Sequence, residues 1–522
     1  MTITTVKPAW HARLPRLTPL AAAALLLLAP PSKAEWRFTP SVGLTQTYTD
    51  NVSLQPGPSA RSQWVTEATP GFSLVGDSRR LKLAATSQWH YFAYRDGGLP
   101  NTADRQHQYN LSAQGIVADD LLYVDAAASG GPHSVSAFGP QVTSNLYSLG
   151  NRTEIETWRI SPYLLHRFGN SATASLRYTR DSVDAGAHNL FGSSIGDTVA
   201  FNLASGPAFH TLGWGLSYQR QDLDNRLAGE SSSESALGSL RYRLTPRLAL
   251  TATLGYDRYD YQALGGRTEG RSWSGGFAWN PSRRTSLEAS LGRHYYGNTG
   301  SLAATHRSRH SVWSINYGDQ VITSRSQLLL PAAIDTADLL DRLFSVTIPD
   351  PLARQQAVAA YMLATGLPPS LADNVNYLSN RYMRQKLLRA SSAFNWSRST
   401  AVLSLFASER NALSSHESDS ELLGSRLATL NDNVRQKGAS ATYSYRFNSR
   451  SMALASASAT HTRSLTTGIE DRQRVVRVGL TRQYGAKVRG AFEVRRQSGG
   501  TDAASGRDYR ENAISASLSI QY

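Results

Sequence analysis

The chain has 522 residues and no cysteine, and its 54 Lys and Arg against 39 Asp and Glu give a formal net charge of +15. The absence of cysteine excludes a disulfide scaffold, thiolate catalysis and metal or iron–sulfur sites built on cysteine. A charged fraction of 18%, together with 24 tyrosines and 10 tryptophans, argues against a disordered chain and for an ordered surface rich in aromatic side chains.

Residues 1–34 have the three parts of a secretory signal peptide. Three basic residues precede an apolar run from Leu17 to Pro30, and Ser32-Lys33-Ala34 supplies the small residues around a cleavage site. The apolar run is too short for a transmembrane helix. We therefore predict cleavage after Ala34 and export of the remaining chain through the inner membrane.

Alternation of apolar and polar residues fills the chain after the signal peptide. In the opening stretch, Phe38, Val42, Leu44 and Tyr48 share one parity and polar residues share the other, which is the period of a strand with one apolar face. No later stretch is long and apolar enough to cross a bilayer as a helix. The same alternation recurs, in chain order, in residues 81–93, 158–164, 212–218, 248–256, 439–447, 476–484 and 514–522.

The connections between these strands alternate between tight turns and long polar loops. Membrane barrels have this alternation because one rim carries short periplasmic turns and the other carries long external loops. If a weak strand at 321–328 is included, the hairpins predict about 22 strands, within a range of roughly 18 to 24. Tight turns are predicted near residues 77, 120, 170, 246, 282, 399, 449 and 486, and long loops at 130–152, 221–232, 411–433 and 498–508.

We therefore predict an all-β fold, a transmembrane antiparallel up-and-down β-barrel over residues 35–522. Because its first strand begins at Trp36, we expect no TonB-type plug domain before it and no energised uptake. Pro162 lies inside a predicted strand, where it removes a ladder hydrogen bond, so we expect a bulge or irregularity there. Aromatic residues near the ends of the apolar faces predict the two interfacial girdles: Trp64, Trp89, Tyr91, Trp158, Tyr218, Tyr256, Trp273, Trp279, Trp313 and Trp396.

The last strand ends in Leu518, Ile520 and Tyr522. This resembles the aromatic-ended final strand that outer-membrane assembly machinery recognises, so these three residues are the predicted assembly signal. We also predict that this strand pairs with the strand beginning near Trp36, because a closed barrel leaves no unpaired sheet edge.

Residues 331–376 break the strand pattern. Leu339, Leu340, Leu343 and Phe344 have helical spacing, and a second apolar stripe follows Asp350-Pro351, which is typical of an N-cap followed by a first-turn proline. The segment predicts a short two-helix insertion within the barrel. We favour a surface excursion packed on a rim, with a gate or plug folded into the lumen as the alternative.

Four stretches resemble a known family: Trp36–Leu54, Glu67–Leu74, Ile160–Gly169 and Gln385–Phe394. They are similar to the outer-membrane β-barrels associated with PEP-CTERM/exosortase systems and their exopolysaccharide loci, and the stretch through Thr49-Asp50-Asn51 is the most specific. The resemblance implies a barrel that serves polysaccharide export. It implies no catalytic or ligand residues.

The polar faces of the strands predict a basic lumen. Rings of Arg and Lys in a channel favour anions because their fixed positive field lowers the energy of a passing negative charge. Two alternatives stay open: pairing with carboxylates of neighbouring strands, such as Asp125, Glu288 and Glu493, and binding of lipopolysaccharide phosphate by rim arginines. The predicted basic wall is Lys82, Arg177, Arg241, Arg243, Arg389, Arg446, Arg477, Arg489 and Arg495, and His90, Phe92 and Tyr94 form a predicted aromatic site for sugar rings.

We predict no enzyme, no cofactor and no metal, since the histidines are scattered singly and the H-E-x-x-H pattern does not occur. The expected function is that of an outer-membrane, porin-like barrel in exopolysaccharide and PEP-CTERM envelope export, a channel for an anionic polymer. The alternatives are a non-transporting barrel that anchors a secretion complex and a general diffusion porin. Expected partners are outer-membrane lipid and lipopolysaccharide, the barrel-assembly machinery, polysaccharide and export-complex proteins, and no nucleic acid.

Overall fold

The computed structural model describes residues 35–140, 147–185, 193–226, 229–261, 268–329, 377–379, 381–414, 430–501 and 508–522, together with residues 340, 341, 343, 344, 354 and 358. The predicted signal peptide, residues 1–34, lies outside the described residues, as does most of the predicted insertion at 331–376. No helix in the described ranges is long and apolar enough to cross a bilayer.

Within these ranges the chain forms one sheet of 22 strands, each antiparallel to its neighbours in sequence. The first eleven strands are β1 (Glu35–Thr49), β2 (Gln63–Asp77), β3 (Leu81–Tyr94), β4 (Arg105–Ala118), β5 (Leu122–Ser134), β6 (Arg152–Phe168), β7 (Ala172–Asp184), β8 (Ser193–Ser205), β9 (Leu212–Asn225), β10 (Gly229–Thr245) and β11 (Leu248–Asp260). The others are β12 (Glu269–Ser282), β13 (Thr285–His294), β14 (Gly297–Arg307), β15 (Ser311–Ile322), β16 (Met383–Asn395), β17 (Ser399–Ala412), β18 (Asn433–Arg446), β19 (Ser451–Ser464), β20 (Glu470–Gln483), β21 (Val488–Thr501) and β22 (Tyr509–Gln521).

The last strand closes the barrel against the first. β22 pairs with β1 from Ser41 opposite Gln521 to Thr49 opposite Ala513, and the Tyr522 backbone N–H donates to the Pro40 carbonyl at 3.0 Å. Both sheet edges are thereby paired, which is what a barrel needs in lipid, where no water satisfies free backbone groups. The predicted fold and the predicted closure are confirmed.

The outer face is apolar, as expected of a surface that contacts lipid tails. Leu254 and Leu291 are 70% and 75% exposed, which would be costly in water but is favourable in a bilayer. Exposed aromatic residues gather near both ends of the strands, as predicted for interfacial girdles. At the end with short turns they include Trp36, Phe168, Trp279, Trp313, Trp396 and Tyr484, and at the end with long loops Tyr48, Trp64, Tyr91 and Trp273.

Two predicted connections are wrong. Residues 221–232 are not a long loop, because Asn225 pairs directly with Gly229 and both strands continue through most of this stretch. The predicted strand at 321–328 ends at Ile322 and gives way to a short helix, α1 (Ser324–Leu328). Thr323 causes the change: its side-chain oxygen accepts from the Ser326 backbone N–H at 3.1 Å in a capping box, which favours a helix start over a strand.

The expected irregularity at Pro162 takes a mild form. The ladder between β6 and β7 omits Ser161 and Pro162 and resumes at Tyr163 opposite Arg177. The register before and after the gap is the same, so there is no bulge at this proline. Proline lacks the N–H that the ladder needs, but its φ is compatible with an extended strand.

Candidate functional site

The strand register identifies the side chains that line the inner face of the wall. One row of side chains that point away from lipid runs through Arg243, Ala249, Ala278, Glu288 and Ala303 on successive strands β10 to β14. Their neighbours in sequence, such as Leu250 and Trp279, are exposed on the outer face. Because side chains alternate along a strand, this assigns the inward residues of every strand.

The described residues of the insertion lie inside the lumen. The segment leaves the wall after Ile322 and returns at Met383, both at the long-loop end. Its described apolar residues nevertheless pack at the opposite, short-turn end, where the inward residues Val312, Ala393 and Val402 are register partners. The predicted excursion on a rim is therefore wrong for the described residues of the insertion, because they contact inward residues of the wall. The residues that make this contact are Leu340, Leu343 and Val358, with Phe344 beside them.

Helix α1, at the start of this segment, contacts strands on a distant part of the wall. Arg325 on α1 is buried and pairs with Asp181 on β7, and its Nε donates to the Ser194 hydroxyl on β8 at 2.8 Å. Arg159 on β6 donates to the Leu329 carbonyl at 3.3 Å. These contacts connect the end of β15 with strands on a distant part of the wall.

The end of the segment is held in the same layer. The Ser324 hydroxyl donates to the Tyr377 carbonyl at 2.7 Å, and the Tyr377 hydroxyl donates to the Asn431 carbonyl at 3.2 Å. The guanidinium of Arg410 lies 4.8 Å from the centre of the Tyr377 ring, within cation–π range. Arg381, which follows, is buried and pairs with Asp432. These polar contacts within the layer are therefore made between protein groups.

The loop between β5 and β6 also enters the lumen at the long-loop end. Its Tyr147 donates to Glu511 at 3.0 Å and accepts from Arg495 at 2.9 Å, while Arg495 pairs with Glu511 at 3.0 Å. Thr49 on β1 donates to the same carboxylate at 2.7 Å. Burial raises the pKa of the Tyr147 phenol, so the phenol keeps the proton that it donates.

The predicted aromatic site is covered by this loop. His90, Phe92 and Tyr94 do point inward, but Phe92 is buried against Tyr147, with ring centres 6.3 Å apart. Nδ1 of His90 lies 2.6 Å from the Glu67 carboxylate, and the Tyr94 hydroxyl donates to the Ala103 carbonyl at 2.6 Å. His90 is therefore held by a neighbouring strand, and Phe92 and Tyr94 are held by loop residues, so the three side chains make structural contacts in this structure.

All nine residues of the predicted basic wall share the inward parity, but only some are open to the lumen. Arg177 pairs with Asp125 at 2.8 Å and lies 3.9 Å from the centre of the Tyr163 ring. Arg495 is neutralised by Glu511, and Arg477 is its register partner on β20. Arg389 lies in the middle of the wall, between Asn316 and Phe406. These four belong to the wall or its packed interior.

The other five predicted cations lie at the short-turn end. Lys82 has a carboxylate, Asp77, as its register partner. Arg489 on β21 is half-buried, and Arg446 is exposed near the turn after β18. Arg241 and Arg243 are exposed near the end of β10, and no ion pair is recorded for these two in the described ranges.

Beside Arg241 and Arg243, the structure reveals a basic cavity that sequence reasoning missed. Its volume is about 630 Å³, and its lining includes four arginines, Arg247, Arg283, Arg284 and Arg307, with hydroxyl groups between them and no carboxylate. Arg307 ends β14 opposite the inward residue Val312. Arg247, Arg283 and Arg284 lie in tight turns, so strand parity does not assign them to a face. The Arg283-Arg284 pair in a turn was the available signal. We call Arg241, Arg243 and these four arginines the basic vestibule.

Ser194 lies within a sequence pattern that also occurs in serine hydrolases. Residues 192–196 read G-x-S-x-G, the spacing of a serine-hydrolase turn. Ser194 lies on strand β8 rather than on a strand-to-helix turn, and its hydroxyl accepts from Arg325 rather than donating to a base. The pattern is therefore not a nucleophile site. No group of three or more metal-ligating residues occurs among the described residues.

The chain is similar to several solved structures but matches no protein family. No protein-family model matches the chain, and no curated protein matches it. Solved structures that are similar include the siderophore receptor PirA from Pseudomonas aeruginosa, at 10% identity and a TM-score of 0.45, covering 95% of this chain and 81% of that chain. The FrpB iron transporter from Neisseria meningitidis is 10% identical with a TM-score of 0.48, covering 93% and 82%. The ferric-catecholate import receptor Fiu from E. coli K12 is 9% identical with a TM-score of 0.47, covering 92% and 81%.

These similarities carry no statement about what this chain binds or moves. The closed barrel with its apolar outer band and aromatic girdles is the architecture of an outer-membrane β-barrel.

Proposed function

We propose that this protein is an outer-membrane conduit for an anionic polymer in exopolysaccharide and PEP-CTERM envelope export, and that its insertion closes the lumen at rest. The observation that carries the proposal is the basic vestibule. Short turns of outer-membrane barrels face the periplasm, so the vestibule lies on the side from which an exported polymer would enter.

The vestibule suits a polymer better than a small ion. Each exposed charge pair contributes only about 0–1 kcal/mol and is screened over roughly 10 Å at 0.1 M salt. A polysaccharide with a carboxylate on many sugar units contacts several arginines at once, so the small free-energy contributions of the single charge pairs add. The hydroxyl groups that line the cavity, among them Ser282, Thr285 and Ser286, can in addition exchange hydrogen bonds with sugar hydroxyls.

A conduit of this kind requires the insertion to move. Its described apolar residues lie against the inner wall at the short-turn end, next to the vestibule: Val312 belongs both to that cluster and to the lining of the cavity. Displacement of this cluster would therefore open the lumen at the place where the polymer binds.

The second candidate is a structural barrel that anchors a secretion complex. One observation favours it. The buried pairs Arg325–Asp181 and Arg381–Asp432 hold the two ends of the insertion, and the wall pair Arg495–Glu511 binds Tyr147 of the loop between β5 and β6. Breaking a buried pair is costly because it leaves an uncompensated charge. An anchor would keep these pairs permanently, whereas a gate would exchange them.

Planar-bilayer recordings on the full barrel and on a variant lacking residues 331–376 distinguish the candidates. A gated conduit predicts small conductance in the parent protein and large, anion-selective conductance in the variant, blocked by polyuronate oligomers added on the periplasmic side and not by neutral dextran oligomers of the same length. A folded deletion variant that does not conduct supports the anchor. Large resting conductance in the parent without polymer block supports a diffusion porin.

A further inference from the structure

The outer face of β18 to β22 carries a concentration of positive charge at the long-loop end. Lys437, His461 and Arg472 form one row of register partners on β18, β19 and β20. Arg472 and Arg474 are exposed and share the outward parity of Val476. We define the outer basic patch as the exposed residues of this region: Arg435, Lys437, Arg463, Arg472, Arg474, Arg496 and Arg510.

The patch lies directly beside the apolar band. Arg496 on β21 is the register partner of Val476 on β20. The row next to it contains Val478, Val494 and Ile514, which are partners across β20, β21 and β22 and are about half exposed on the lipid side. The guanidinium groups are therefore at the depth where the acyl chains end and the headgroups of the external leaflet begin.

Few carboxylates balance this charge. Glu470 is shared by His461, Arg463 and Arg472, with closest distances of 3.0, 3.8 and 3.1 Å, and Glu409 pairs with Arg435 at 2.7 Å. Asp50, at the edge of the patch, is bonded to Asn512. No ion pair is recorded for Lys437, Arg474, Arg496 or Arg510 in the part of the chain that the structure describes.

The outer face of another sector, β7 to β12, has a different charge pattern. There Arg180 lies 3.5 Å from Asp197, Arg220 lies 3.1 Å from Asp222, and Arg258 lies 3.6 Å from Glu269. Three exposed arginines on that side are thus matched by acids at similar depth, and among the described residues Arg271 is an outward arginine of this sector with no ion pair. The excess of cations on β18 to β22 is consequently a local feature and not a property of the whole rim.

We propose that the outer basic patch is a binding site for the phosphate groups of an anionic lipid of the external leaflet. Neighbouring strands are about 4.8 Å apart and alternate residues on one strand about 6.7 Å apart, so several cations reach one phosphate or two phosphates on the same headgroup. Arginine forms paired hydrogen bonds with phosphate oxygens, and the apolar band next to the patch contacts the acyl chains. This site is on the outer wall and does not depend on the proposed function of the lumen.

The test compares two matched variants of the full chain in neutral detergent micelles. The patch variant is Arg474→Gln, Arg496→Gln and Arg510→Gln, and the control variant is Arg180→Gln, Arg220→Gln and Arg258→Gln. Each loses three outward arginines, and retention of the heat-modifiable folded band in gels shows that each is folded. Affinity is measured for bisphosphorylated lipid A, for its monophosphorylated form and for inorganic phosphate.

At about 1 kcal/mol for each basic residue near an anionic surface, the patch variant should bind bisphosphorylated lipid A on the order of 100-fold more weakly than the parent. The control should remain within about threefold, and the parent should prefer the bisphosphorylated lipid to the monophosphorylated one. Equal binding by the patch variant and the parent, or an equal loss in the control, overturns the proposal. Competition by inorganic phosphate as strong as that of the lipid also overturns it, because the site would then hold a free anion.

Discussion

Arg325, on the helix that follows β15, is paired with Asp181 on β7, and both side chains are almost fully buried. This contact ties the beginning of the internal segment to a strand far from the one that it leaves. Because an ion removed from water depends on its partner, the pair makes the internal position of the segment sensitive to a single substitution.

Arg325→Met should loosen the internal segment. The substitution leaves the Asp181 carboxylate buried without a cation, at a cost of about 3–5 kcal/mol. We expect more frequent opening events in bilayer recordings and faster proteolysis within residues 331–376. The control is Arg180→Met, which breaks an exposed pair with Asp197 at 3.5 Å and should change neither signal. If Arg325→Met behaves as the parent does, the pair does not hold the segment.

The basic vestibule should set ion preference once the lumen is open. In the barrel lacking residues 331–376, a fourfold variant with Arg241, Arg243, Arg247 and Arg284 changed to Gln should shift the reversal potential away from anions, most visibly at low salt, where screening is weakest. Single substitutions should have little effect. The matched control changes four arginines of the outer face, Arg180, Arg220, Arg258 and Arg271, to Gln in the same deletion background. Its reversal potential should equal that of the unsubstituted deletion variant. An equal shift in both fourfold variants would mean that net charge alone, not the vestibule, sets selectivity.

Two adjacent glycines on β12 should respond differently to alanine. A Cβ on Gly276 would lie 2.3 Å from the Ala289 backbone carbonyl oxygen, whereas a Cβ on Gly275 meets nothing within 4 Å. Gly276→Ala should therefore destabilise the barrel by about 1–3 kcal/mol through overpacking. Gly275→Ala should be neutral or slightly stabilising, because it restricts the unfolded chain. Thermal unfolding followed by band shift in gels measures both, and equal transition temperatures would refute the close contact.

Removal of Ile520–Tyr522 should prevent barrel closure. The deletion removes the pairing of Ile520 with Val42 and the hydrogen bond from the Tyr522 N–H to the Pro40 carbonyl, which exposes part of the β1 edge. We expect the truncated protein to accumulate in the periplasm in cell fractionation. Tyr522→Phe keeps the aromatic ring and the backbone bond and should insert normally. Normal insertion of the truncation would contradict both the assembly signal and the need for this pairing.

Local sequence patterns were sufficient to predict the barrel. Period-two alternation shows which residues share a face, and the short connections fix which strands are neighbours, so the strand order and the outward girdles follow from local information. The inward parity of the nine predicted wall residues follows in the same way. Closure follows from the requirement that a barrel in lipid leaves no unpaired sheet edge. Even the errors at 221–232 and 321–328 are local ones, where polar residues continue a strand or where Thr323 caps a helix.

The contents of the lumen depend on contacts between residues that are distant in sequence. Parity places Arg495 and Phe92 on the inner face, but it does not reveal that Glu511 neutralises the first or that Tyr147, from a loop far away in the chain, covers the second. The same holds for the insertion. Its helical spacing is visible in the sequence, but its position depends on the packing of Leu340 and Val358 against the inward residue Val312. An apolar stripe on a helix indicates that this face is buried. The surface against which it packs depends on contacts between residues that are distant in sequence.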